Sequence, residues 1–146
     1  MAYSTLADVQ VSAGGEKSLR ELSDVDNANA VNPAAVASAI AEADAIIDSH
    51  VHTRLAVPLT APIPPVIVAI SAALAVFLLK SRRKNLISEI DLQLHESRLM
   101  QLQAIATGRV TLGVYPEPTK SELLRYDSTD RPSDKAVSRE ALKGFC

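Results

Sequence analysis

The sequence predicts an all-α protein: a small helical bundle followed by an extended C-terminal arm and a short terminal helix. Three observations predict it. The stretch Ile63–Leu79 (IPPVIVAISAALAVFLL) opens on prolines, and from Val66 to Leu79 its only polar side chain is Ser71. Pro33 follows Asn32, and behind that pair apolar residues recur at three- and four-residue steps. Apolar residues make up 47% of the chain but aromatics only 3%, so the core must be built from Ala, Val, Leu and Ile. Such side chains suit closely packed helices.

The first helix is read over Ala2–Ser12, with Ser4 or Thr5 as its cap and Leu6, Val9 and Ala13 on one face. Gly14 and Gly15 end it. Glu16–Leu22 makes a second short helix with Leu19 and Leu22 inward. Residues 23–32 form a polar loop. Its Asp24, Asp26 and Asn29 resemble a calcium loop only faintly, because the sixth-position Gly and the closing Glu are missing. No metal site is expected.

Asn32 caps the third helix and Pro33 takes its first position, where the missing N–H costs nothing. Val36, Ile40, Ala43, Ile47, Val51 and Leu55 then form one buried stripe to about Arg54. Glu42, Asp44, Asp48 and His52 lie off that stripe and read as a solvated or subunit-facing side. His50 and His52 are two apart, so on a helix they point in nearly opposite directions and share no metal. Residues 56–65 hold four prolines and read as a stiff connection.

Pro65 starts the fourth helix. A helix apolar all round is buried all round, and Ile70, Leu74 and Phe77 are expected in the core. The alternative is a small membrane-associated helical protein anchored by residues 63–79. A span needs about 20 apolar residues, whereas the fourteen from Val66 reach only about 21 Å. Length therefore favours the core, and no membrane is expected among the partners. Arg82, Arg83 and Lys84 end this helix as cations that offset its macrodipole, or else touch DNA in a channel or a partner's acids.

Asn85 is read as the cap of a fifth helix that Thr107 and Gly108 end. Ile87, Ile90, Leu94, Leu102 and Ile105 form its core face. Leu92, Leu99 and Ala106, seven apart, form a second face expected to pack on a neighbouring subunit. Residues 109–115 are short and extended. The bundle is thus placed at 1–113 and the arm at 114–146. Within the arm, 116–132 is polar and proline-rich. Beyond it Val137, Leu142 and Phe145 are stranded apolar residues, so Arg139, Leu142 and Phe145 are expected to dock on a partner or neighbour.

Net charge is −2, which gives no bulk attraction to nucleic acid. Residues 1–60 carry eight acids against three bases (−5), and 61–146 carry twelve bases against nine acids (+3). Such a chain can complement a copy of itself. The single Cys146 makes no internal disulfide, which fits a reducing compartment. The first residues lack a charged region followed by an apolar run, so no secretory signal is expected. A phosphate loop, CxxC, HExxH and GxSxG are all missing from the sequence. No catalytic residue and no cofactor are expected. A DNA-binding regulator using Arg82, Arg83 and Lys84 would need a recognition helix after a tight turn, and no such pair is legible.

Five stretches carry a resemblance. They are YSTLADV (Tyr3–Val9), AIAEADAIIDSHVHTRLAVPL (Ala39–Leu59), PPVIVAISAALAVFLL (Pro64–Leu79), LQAIATGRVTLG (Leu102–Gly113) and SREALKGF (Ser138–Phe145). In order and spacing they resemble the small α-helical head–tail connector (adaptor, head-completion) proteins of tailed phages, Mu-like branch. The core helix is more uniformly apolar than such proteins usually show, and residues 116–132 carry no resemblance. The resemblance implies a structural virion protein that forms a ring, a dodecamer, beneath the portal. It implies the portal and a tail or tail-terminator protein as partners, with DNA passing through without sequence preference. It implies a place at the head–tail junction, after assembly in the host cytoplasm.

Overall fold

The computed structural model describes residues 1–24, 28–83 and 87–113. These residues form five α-helices and no strand: α1 Leu6–Ser12, α2 Glu16–Ser23, α3 Pro33–Val51, α4 Pro65–Ser81 and α5 Glu89–Ala106. The protein is all-α, as the sequence predicts.

Thr5 starts α1 with a capping box. The Asp8 N–H donates to Thr5 Oγ1 at 3.3 Å and the Thr5 N–H donates to Asp8 Oδ2 at 2.8 Å. The Thr5 hydroxyl and N–H hold the Asp8 carboxyl below its ordinary value. The helix begins at Leu6 rather than Ala2 because Tyr3 and Ser4 turn inward to other partners. Two glycines with positive φ then turn the chain into α2, whose Leu19 and Leu22 are buried. Asp24 takes the N–H groups of Ala28 (2.8 Å) and Asn29 (2.7 Å), so its carboxylate closes the loop.

Asn32 Oδ1 accepts from the N–H groups of Ala34 and Ala35, both at 3.1 Å, and Pro33 follows as the first residue of α3. The stripe Val36, Ile40, Ala43, Ile47 and Val51 is buried, and Leu55 packs against it. Asp44 is the exception to the sequence reading. It lies off the stripe yet is only 8% exposed.

Every other helix packs against α4, and its seam with α3 is the widest. Ile70 and Leu74 are fully buried there. Phe77 is half-buried instead, stacked on His95 of α5 with ring centroids 4.0 Å apart and planes within 10°. No helix among the described residues is long and apolar enough to cross a membrane. Ile67, Ile70, Leu74 and Leu79 of this stretch are buried in the bundle core.

Ser88 caps α5 through a capping box with Asp91, while Asn85 lies outside the described residues. At the other end Arg54 Nη1 donates to the Ile105 carbonyl at 3.2 Å. Gly108 stands beside that guanidinium with φ +77°. A Cβ there would come within 2.4 Å of Arg54 Nη1. Gly108→Ala is expected to cost about 1–2 kcal/mol for the left-handed backbone alone, plus the displacement of Arg54. Chemical denaturation of the variant checks this, and parent-like stability would show that the turn adapts.

Candidate functional site

α5 packs on α3 and α4, but unequally along its length. Leu102 and Ile105 in its second half are fully buried, and Leu99 packs partly against the same core. In the first half Ile90, Leu92 and Leu94 are all exposed. Ile90 and Leu94 were expected in the core with Leu102. They are not there, because α5 meets the bundle with its C-terminal turns and touches α4 upstream mainly through polar and aromatic groups. The expected subunit face is likewise divided. Leu92 is exposed, whereas Leu99 and Ala106 are half-buried. An apolar patch left bare on a subunit is a common mark of an association surface.

Two contacts hold the first half of α5 to α4. Lys80 Nζ donates to Asp91 Oδ1 at 2.6 Å, and this bond, with those from Ser88, lowers the Asp91 carboxyl to about 2. The second contact is the Phe77–His95 stack. His95 Nδ1 is buried and has no hydrogen-bond partner among the described residues, and burial pushes the His95 pKa down from its ordinary 6.5. Both shifts have the same sign for stability. A depressed folded pKa gives stability that is present above the unfolded value and is lost as pH falls through the folded one. The α4–α5 seam should therefore weaken in acid in two stages. The first comes below pH 6.5 as His95 charges, and the second below 3.8 as Asp91 protonates toward its value of about 2. Faster hydrogen exchange in residues 89–96 than in 102–106 as pH is lowered, after correction for the intrinsic rate, is the expected result.

Two cations of the basic run, Arg82 and Arg83, bond within the subunit. Arg82 donates to the Ala35 carbonyl (3.3 Å), to Ser38 Oγ (3.1 Å) and to Glu42 Oε2 (3.3 Å), which ties the end of α4 to α3. Arg83 donates to the Asp24 carbonyl. Lys84 lies outside the described residues. Among those residues no group of three or more His, Cys, Asp or Glu could hold a metal ion.

Sequence reasoning missed a polar cluster at the heart of the bundle. Ser71 Oγ donates to Asp44 Oδ1 at 2.7 Å and lies 2.8 Å from Ser4 Oγ. The Tyr3 N–H donates to Asp44 Oδ2 at 3.0 Å. The Tyr3 hydroxyl donates to Asp48 and accepts from the Leu59 N–H at 2.9 Å. Burial raises the Asp44 carboxyl above its ordinary value. Burial, with the bond to Asp48, pushes the Tyr3 hydroxyl up to about 12. The cluster ties the N-terminal segment, α3, α4 and the loop before α4 to one another. All its groups are satisfied within the fold, so it is structural. The signal for it was Ser71, a lone hydroxyl in an otherwise apolar helix.

This bundle, with the bare first half of its α5 and its inward-turned Tyr3–Ser4 segment, includes every stretch that carries the family resemblance up to Gly113. The sequence pattern of the family described as Bacteriophage Mu, Gp36 matches residues 3–126. The chain belongs to the bacteriophage Mu Gp36 family. It is a Mu-like phage protein, and membership supports a structural or morphogenetic role. The Gp36 match continues into the arm as far as residue 126, where the stretches compared above showed no likeness. No curated protein matches the chain. Arg139, Leu142 and Phe145, the residues expected to dock on a partner or neighbour, lie outside the described residues.

Proposed function

We propose that this Gp36-family protein is a non-catalytic head–tail connector. In this reading it forms a dodecameric ring beneath the portal, extends the DNA channel and offers a surface to the tail or tail-terminator protein. It needs no cofactor, assembles in the host cytoplasm and ends in the virion. Residues 138–145 dock on the portal or on a neighbouring subunit, and DNA passes without sequence preference.

The observation that carries the reading is the first half of α5. Ile90, Leu92 and Leu94 stand clear of their own core, on a helix whose second half is anchored. A subunit built to remain alone gains nothing from that arrangement. A ring subunit needs a rigid apolar edge. Arg82 and Arg83 contribute to holding α4 against α3 and the end of α2.

The test is the mass of the purified protein, alone and mixed with portal. A ring-sized species with portal is expected, and a monomer that never joins portal would overturn the reading. Leu92→Glu should melt like the parent, since Leu92 is 47% exposed, and should lower ring yield at least tenfold. Leu92 is the informative position, because Leu99 also supports the core and its substitution disturbs both.

A further inference from the structure

α4 is apolar nearly all round, yet one face is only partly covered among the described residues. Val66, Ala69, Ala73 and Phe77 follow at steps of three and four and so share that face. Val66 is 48% exposed, Ala69 is exposed, and Ala73 and Phe77 are half-buried. Val11 and Ser12 of α1 form one wall over this face, and Leu94 and Arg98 of α5 form the other. Two hollows of about 490 and 240 Å³ both reach Ser12, Ala73 and Arg98, so they make one trough. From Pro65 to Lys80 it runs about 23 Å, room for four helical turns. Its alanine floor lets another helix come close.

The opposite side of α5 has the complementary shape. Leu92, Glu96 and Met100 are four apart, so they form a row, and helix geometry turns that row away from Leu94 and Arg98. Leu92 and Met100 are exposed. Trough and row thus flank α5 on opposite sides, and no subunit can fill its own trough with its own row. A neighbour can, and contacts of this head-to-tail kind generate rings where the rotation closes.

Charge also favours a second copy. Glu89 and Glu96 lie on the row side without an ion-pair partner among the described residues. Arg98 on the trough wall has only the neutral Gln101, at 2.9 Å, as its partner among those residues. The other available occupant, residues 114–146, balances six bases against six acids and brings no net charge to the site.

We propose that the α4 trough of one subunit receives the Leu92–Glu96–Met100 row of a second copy, with Glu96 meeting Arg98. The proposal rests on the ring reading and names the contact that builds the ring. The contact belongs to the protein itself and forms without portal.

The test is oxidation of purified Ala73→Cys/Leu92→Cys protein in a Cys146→Ser background, with its mass measured in parallel. The expected result is a ladder of cross-linked species up to the ring, with neither single variant linking. Rings by mass without cross-links would overturn the contact and leave the ring reading standing. Cross-links that stop at dimers would replace the head-to-tail contact by a two-fold one. Monomers at every concentration would overturn the self-contained contact, and the portal mixture then decides the ring reading separately. As a second arm, Arg98→Glu should weaken assembly at least tenfold, and adding Glu96→Arg should restore it. Failure of that rescue would remove the Glu96–Arg98 pairing.

Discussion

Leu74→Ala is expected to destabilise the bundle by roughly 2–5 kcal/mol. Leu74 is 1% exposed and lies midway along α4, against which all four other helices pack. Truncation there removes buried methyl groups and leaves a cavity that four neighbours cannot jointly close. The melting temperature should fall by roughly 8 °C or more for a domain of this size. Phe77→Ala should cost less than its greater volume suggests, because Phe77 is only half-buried. A Leu74→Ala variant that melts with the parent would show that α4 is not the centre of the fold.

Asp44→Ala should cost about 2–4 kcal/mol, for a different reason. The loss lies in what the carboxylate leaves behind. The Tyr3 N–H would be a buried donor without an acceptor, and the Ser71 hydroxyl would lose its carboxylate partner and keep only Ser4 Oγ, 2.8 Å away. Such an orphan costs about 1–3 kcal/mol. Asp44→Asn keeps one acceptor oxygen and should cost less. The pH dependence has a definite sign. Burial raises the Asp44 pKa in the folded state, so its contribution is fully present below the ordinary 3.8 and declines as pH rises through the raised value. The deficit of Asp44→Ala relative to the parent should therefore be larger in mild acid than at pH 7. Denaturant melts at both pH values check this. An equal deficit at both would mean that Asp44 is ionised to the same extent folded and unfolded.

The parts of this fold that were legible in the sequence are those decided locally. Asn32 with Pro33, and Pro65 after Pro64, start helices by chemistry contained within a few residues, and both helices begin where expected. The stripe from Val36 to Val51 is buried as its spacing requires. What was not legible depends on residues far apart in the chain. Asp44 looks like a solvated acid until Ser71, 27 residues on, and Tyr3, 41 residues back, are seen to meet it. The row Ile87, Ile90, Leu94, Leu102 and Ile105 has the period of a core face along its whole length. Period does not say where along a helix the rest of the bundle stops, and here Ile90 and Leu94 lie beyond it. Arg82 and Arg83 were read as cations at a helix end, and they do serve carbonyls, but on α3 and at Asp24 rather than on α4.

The central claim, that this Gp36-family protein is a ring at the head–tail junction, is tested most directly by electron cryomicroscopy of the portal vertex in intact particles. The account predicts a ring of five-helix units between portal and tail, with α5 of each unit lying against α4 of the next. A vertex without such units, or particles that lack the protein, would contradict it.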